Sequence, residues 1–229
     1  LIPDFSKGEG QLCIFAHEKK KFSYQMKIFE KLQKLDLILA SQSPRRRQLL
    51  KEAGFPFRVW ALPGEESFPE NLSPPEIAIH LCKKKAEPFL DKLDKKSIVI
   101  TADTIVVKDK KILNKAGNVI QARQMLSLLS GSTHQVITGV CITSLDKQLA
   151  FYEKTNVTFT ELSKEETYHY INICKPFDKA GAYGIQEWIG LIGVESIEGS
   201  YHNVVGLPVA RLYKELKVFL KEQFPDTDT

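Results

Sequence analysis

The sequence predicts an α/β fold: a mixed, twisted sheet flanked by helices. Three observations lead there. Short apolar runs bounded by turn residues alternate with segments whose apolar positions recur every three or four residues. Such interleaving of strands and helices builds a sheet covered by helices. Between His134 and Leu162 two long β segments follow one another directly, so part of the sheet is antiparallel. The 229 residues are 43% hydrophobic, enough for one sizeable core or one core split by a cleft.

The elements follow in order. Leu35 to Ala40 is a compact apolar strand. Ser43 is placed to cap the next helix and Pro44 suits its first turn, with Leu49, Leu50 and Ala53 on one side and Gly54 as the stop. Phe57 to Ala61 reads as a second strand, and Pro63 to Pro75 as a polar loop. A helix starts near Ser73 and carries Ile77, Leu81 and Lys85. Ser97 to Ala102 is a buried strand ending in Asp103-Thr104; Ile105 to Val107 and Lys111 to Leu113 form a hairpin around Asp109-Lys110. A helix from about Gln121 to Leu129 stops at Ser130-Gly131. The segments His134 to Ser144 and Ala150 to Leu162 are rich in β-branched residues and pair around Asp146-Lys147. Ser163-Lys-Glu-Glu166 opens a helix as a capping box. A glycine-rich segment covers Lys179 to Gly193, and an amphipathic helix follows Pro208. Residues 35–223 are expected to form one domain, with 1–34 an N-terminal extension and 224–229 a tail. Residue 1 is Leu, and Met26 is the expected natural start.

Composition narrows the function. The net charge of +4 favours an anionic ligand but demands neither nucleic acid nor a membrane surface. No apolar run approaches the roughly 20 residues of a membrane span. The four cysteines are widely spaced, without the pairing of a zinc site or a disulfide framework, and a reducing cytoplasmic setting is expected. Phosphate-loop, nucleophile-elbow and zinc-protease motifs are missing.

The residues that carry chemistry are acids, cations and one amide. Backbone N–H groups at the helix start after Ser41 attract anions, and Arg45, Arg46 and Arg47 add three permanent charges. At about 100° per residue the three cannot share a direction. Asp103 follows a buried strand, where α/β proteins commonly place ligands, although a turn-forming Asp has the same signature. Glu65 and Glu66 lie in a polar loop; one of them with Asp103 would suffice for magnesium, which uses one or two carboxylates plus phosphates and waters. Lys85 and Lys115 are candidate point charges for phosphate. Gln186 can donate and accept, which suits reading the edge of a base. His134, alone on a strand, is read as structural, and Tyr183 as a core residue or a ring-packing one.

Taken together these segments resemble the Maf family of nucleotide pyrophosphatases. The matching stretches are Leu39-Ala-Ser-Gln-Ser-Pro-Arg-Arg, Ala102-Asp-Thr-Ile-Val-Val, Leu129-Ser-Gly-Ser-Thr-His-Gln-Val-Ile-Thr-Gly-Val, Asp178-Lys-Ala-Gly-Ala-Tyr-Gly-Ile-Gln and Asn203-Val-Val-Gly-Leu-Pro. They run in order from about residue 36 to 217. The resemblance implies a Maf/ITPase-like fold with two lobes around a cleft, a cytoplasmic enzyme, a possible homodimer and dependence on a divalent cation, Mg²⁺ or Mn²⁺. The implied reaction is hydrolysis of a nucleoside triphosphate to its monophosphate and pyrophosphate. Asp103 is then the acid–base residue or metal ligand, with Glu66 as the acidic loop partner at the metal. Ser41, Arg46, Lys85 and Lys115 take phosphate positions, while Arg45, Thr104 and Gln186 match the branch that acts on dTTP and UTP. Two positions depart from the pattern. Asn114-Lys115-Ala116 stands where the family often has Gly-Lys-Pro, and Glu187, a charge beside the base reader, stands where it often has Gly. The alternatives are a pyrophosphatase for 7-methyl-GTP or ITP, a nucleotide-binding regulator of cell division, and a nucleic-acid binder using Arg45–Arg47.

Overall fold

The computed structural model describes residues 27–62 and 67–225. The expected start at Met26, and Glu65 and Glu66 in the acidic loop, lie outside them. The described elements are α1 (Lys27–Leu32), β1 (Asp36–Leu39), α2 (Pro44–Glu52), β2 (Arg58–Val59), α3 (Pro74–Ala86), a 3₁₀ turn (Glu87–Lys92), β3 (Ser97–Lys108) and β4 (Lys111–Leu113). They continue with α4 (Val119–Leu129), β5 (Thr133–Thr143), β6 (Gln148–Phe159), α5 (Lys164–Cys174), α6 (Trp188–Gly193), β7 (Val194–Glu198), α7 (Tyr201–Val205) and α8 (Val209–Gln223).

The described strands form a mixed sheet of seven, in the order β2-β1-β3-β5-β6-β7, with β4 beside the far end of β3. β2, β1 and β3 run parallel, whereas β3, β5, β6 and β7 alternate in direction. The hairpin at Asp109-Lys110 has φ of 49° and 65°, the left-handed pair of a type I′ turn whose twist suits the strands it joins.

One expectation fails in a way that matters. β3 does not end at Asp103 but runs on through Lys108, pairing with β5 from Val99 to Val107. Its other edge is shared. β1 pairs with Ser97 to Ile100, and β4 with Val106 to Lys108. From Thr101 to Ile105 that edge has no neighbouring strand among the described residues. Ile100 turns its carbonyl to this side, accepting from the Ala40 N–H at 2.9 Å. Ladder direction alternates along a strand, so Ala102 and Thr104 also turn their main-chain groups to the bare edge.

Side chains sort by the same alternation. One sheet face carries two separate apolar clusters. The first joins Leu37, Leu39, Ile98 and Ile100 with Leu50 of α2, Leu212, Leu216 and Phe219 of α8, and Ile28 and Leu32 of α1. The second joins Val106, Val136, Val157 and Phe159 with Leu126 of α4 and Tyr170 of α5. Between them lies a polar seam. Thr104 and Thr138 hydroxyls meet at 2.9 Å, and Thr138 Oγ1 donates to the Asn203 carbonyl at 3.1 Å. Asn203, fully buried, donates through Nδ2 to Val136 O at 3.0 Å and to Thr155 Oγ1 at 2.9 Å. These seam residues bond to one another instead of filling an apolar core, and only the Asn203 Oδ1 is left without a partner among them. The two clusters are the two lobes.

α3 covers the opposite face. Gly139 makes this possible: a Cβ there would stand 2.1 Å from the Ala78 carbonyl oxygen, so only glycine admits the helix backbone this close. Thr101 Oγ1 donates to Cys82 O at 2.6 Å and fixes the helix along β3.

Other differences are local. β2 is two residues long rather than five, and β6 ends at Phe159. α6, β7 and α7 fall in and just after a segment read only as glycine-rich. No described helix is long and apolar enough to cross a membrane.

Candidate active site

A cleft of about 870 Å³ opens beside the bare edge of β3. That is the size range of small-molecule sites. Among the described residues, the sequence-predicted candidates Ser41, Arg45, Arg46, Lys85, Asp103, Thr104, Lys115 and Gln186 all line it. Glu66, the remaining candidate, lies outside the described residues.

The first wall is the β1–α2 junction. Ser43 has extended backbone and its Oγ accepts from Arg46 N at 3.4 Å, while Pro44 occupies the first helical turn. The cap turns the helix N-terminus toward the cleft. Arg46 is then fastened along its guanidinium: Nε donates to Gly206 O at 2.8 Å, Nη2 to Thr104 Oγ1 at 3.0 Å, and Nη1 to Ser41 Oγ at 3.3 Å. These acceptors belong to three separate elements, so the arginine fork is set before any ligand arrives. Arg47 is exposed and does not line the cleft, as the helical angle requires.

The second wall is α3 and the outer face of β3. Lys85 is in hydrogen-bond contact with Asp103 Oδ1; their side chains are 20% and 13% exposed. The pair is therefore desolvated in part and open to the cleft on one side. Asp103 sits opposite Gly139 in the β3–β5 register, the glycine over which α3 passes. One close approach thus brings Lys85 within reach of Asp103. Asp103 reaches the cleft because the strand beside it stops, and not because its own strand does.

The third wall is the loop from Asp178 to Gln186, together with Lys115. Lys115 follows β4 and forms an isolated antiparallel bridge with Ala180. Gln186 is exposed after the buried run from Gly181 to Ile185. Asp178 and Lys179, not among the sequence-predicted site residues, also line the cleft. Asp178 Oδ2 accepts from Arg45 Nη1 at 3.1 Å, joining the third wall to the first. Partial burial works to raise the Asp178 carboxyl, but Lys179 and Arg45 outweigh it and hold it below the ordinary range. Lys179 is 7% exposed and also pairs with Glu187 at 3.0 Å. Its burial, visible only in the fold, is what marks it, since buried lysines are almost always paired. The Glu187 charge is therefore taken up by Lys179 and by the Tyr170 hydroxyl.

His134 is structural, as expected from its strand. Its Nε2 lies 2.7 Å from Tyr183 OH and its ring packs edge-on against Phe159. Burial, helped by the nearby Lys108, pushes its pKa down to about 4.

The arrangement defines a class: an α/β protein whose cleft, among its described lining residues, sets Arg45, Arg46, Lys85, Lys115 and Lys179 against Asp103 and Asp178. Such a site takes a polyanion of small-molecule size. The chain belongs to the Maf family. Residues 36–219 match the family described as Maf-like protein. It is 52% identical over 191 residues to a dTTP/UTP pyrophosphatase of Phocaeicola vulgatus, covering 83% of this chain and 99% of that one. It is 46% identical over 193 residues to a protein of the same name from Parabacteroides distasonis, covering 84% and 100%. A solved nucleoside-triphosphatase (dITP/XTP pyrophosphatase) of Mycobacterium abscessus, 10% identical, aligns with a TM-score of 0.39 over 84% of this chain and 99% of that one.

Proposed function

We propose that the chain hydrolyses nucleoside triphosphates, dTTP and UTP foremost, to the monophosphate and pyrophosphate with the help of a divalent cation. The observation that carries this reading is the excess of cationic side chains around Asp103 in one cleft. The names of the relatives at 52% and 46% identity support the substrate.

The donor chemistry fits a hard cation. Asp103 and Asp178 offer carboxylate oxygens to the cleft, and the described residues contain no group of three or more His, Cys, Asp or Glu that could cage a metal alone. Mg²⁺ or Mn²⁺ suits such a set, because Mg²⁺ is commonly held by one or two carboxylates shared with substrate phosphates. Asp103, with Glu66 from the acidic loop, would hold it. When bound, the metal neutralises phosphate charge and makes water more acidic.

The chain's own residues do the rest. Arg46 presents its prearranged fork to phosphate oxygens, and Lys115 adds charge from the facing wall. Incoming phosphate competes with Asp103 for Lys85, drawing the ammonium away and leaving the carboxylate to take the proton of the attacking water. At the other end Gln186 matches donors and acceptors on the base. Arg45 only donates, so it favours the carbonyls of uracil and thymine over the amino group of cytosine. The same reading includes a cytoplasmic enzyme able to pair as a homodimer, which sedimentation would test.

The test is pyrophosphate release from dTTP, UTP, CTP, GTP, 7-methyl-GTP and ITP, with Mg²⁺ or Mn²⁺ and again with chelator. Metal-dependent release favouring dTTP and UTP supports the reading. Preference for 7-methyl-GTP or ITP would overturn the substrate but keep the reaction. Binding without release from any nucleotide would leave a regulator in its place.

A further inference from the structure

One continuous chain of polar contacts links the two ends of the base-facing wall. Arg45 donates to Asp178 Oδ2 at 3.1 Å, and Asp178 Oδ1 accepts from Lys179 at 2.7 Å. Lys179 reaches Glu187 Oε1 at 3.0 Å, and Glu187 Oε2 accepts from the Tyr170 hydroxyl. Tyr170 OH in turn accepts from the Gly184 N–H at 3.0 Å. The chain starts on α2 beside one lobe and ends in the loop that carries Gln186 beside the other. It contains two cations and two carboxylates, so it is neutral as a unit.

Its inner half is shielded from solvent: Lys179 and Glu187 side chains are 8% and 23% exposed and Tyr170 is fully buried, whereas Asp178, the link to Arg45, is 59% exposed. Salt screens such pairs poorly, and removing one member strands the other without its partner. Gly184 leaves the room: a Cβ there would stand 2.8 Å from the Glu187 carboxyl carbon. Glu187 itself does not line the cleft. Its neighbour Gln186 does, and the contacts on both oxygens of Glu187 fix where that neighbour stands.

We infer that Glu187 is a positioning residue for base selection, acting through Lys179 and Asp178 on Arg45 and through the loop backbone on Gln186. The inference deepens the function proposed above and rests on it. Arg45 and Gln186 approach the base from different lobes, so their spacing decides whether both meet the same ring. The ion chain sets that spacing.

The experiment uses the full chain with Mg²⁺ and the α,β-methylene analogues of dUTP and dCTP, with affinities read by calorimetry. The unmodified protein is expected to prefer the uracil analogue. Glu187→Gln, which keeps an acceptor for Tyr170 but loses the charge for Lys179, should lower that preference about tenfold. Asp178→Asn, cutting the chain on the Arg45 side, should do the same. The double variant should lose no more than the larger single loss, because one device has already been broken. Should Glu187→Gln melt far below the parent, Tyr170→Phe cuts the same chain while keeping the ring. An unchanged preference, equal weakening toward both analogues, or losses that multiply in the double variant would each overturn the inference. So would a parent protein with no preference. Pyrophosphate release by the parent is measured separately; its absence sinks the proposed reaction, while the binding ratio still decides the role of Glu187.

Discussion

Asp103 and Thr104 are neighbours in sequence that stand on opposite faces of the sheet, yet both line one cleft. Asp103 meets Lys85 from α3, and Thr104 meets Arg46 from α2. Strand geometry makes this unavoidable, since successive side chains alternate. Both stay within reach of one ligand because one edge of β3 has no strand there among the described residues, so the cleft wraps around a bare strand edge.

Asp103→Asn should remove most turnover while nucleotide affinity persists in part. Loss of a positioned base costs about 10²- to 10⁴-fold. Pyrophosphate release and calorimetric affinity on the same preparation check it, and near-normal release would remove Asp103 from its role.

Arg46→Lys keeps the charge and loses the fork. The ammonium cannot span Gly206 O, Thr104 Oγ1 and Ser41 Oγ together. We expect kcat/KM to fall roughly 10- to 100-fold, the size of one or two charge-assisted hydrogen bonds. A fall below threefold would mean that the prearranged geometry is not used.

Gly139→Ala should destabilise by about 3 kcal/mol or more, because the new methyl meets Ala78 backbone and no flexible side chain can give way. α3 would have to lift, separating Lys85 from Asp103. Urea unfolding and turnover should therefore fall together; a stable variant with full activity contradicts the account of that approach.

His134 imposes a pH dependence on stability. Its folded pKa of about 4 lies below the unfolded value of 6.5, so the unfolded chain binds the proton first. Stability from this residue is complete above pH 6.5 and declines as pH falls toward 4, where the loss approaches roughly 3 kcal/mol. His134→Gln should flatten the denaturation midpoint between pH 7 and 4.5 relative to the parent. Parallel curves would refute the assignment.

Much of this fold is legible in the sequence because local signals agree with the tertiary result. Ser43-Pro44, Ser163 with Glu166, and Asp109-Lys110 each specify a cap or turn by side-chain chemistry alone, and each is found. β3 was read as ending early because Asp103-Thr104 interrupt an apolar run. The polar pair is housed here because, among the described residues, one edge of β3 lacks a neighbouring strand and a cleft opens instead, and strand order is a tertiary fact. α6, β7 and α7 have six, five and five residues, too few for a period to emerge. The site candidates came largely from the family resemblance, since nothing in spacing brings residues 46, 103 and 206 together. Lys179 was passed over because its partners, Asp178 and Glu187, converge only once the loop has folded.

The hairpin at Asp109-Lys110 has one more consequence. Its two left-handed residues pin β4 against β3, while β1 pins the opposite end at Ile100. The stretch from Thr101 to Ile105 is thus clamped at both ends. Inserting one residue between Ile100 and Asp103 would turn the acid to the arginine's face, and deleting one would turn the hydroxyl to the lysine's. The segment works as a ruler, whose length decides which face of the sheet each side chain takes.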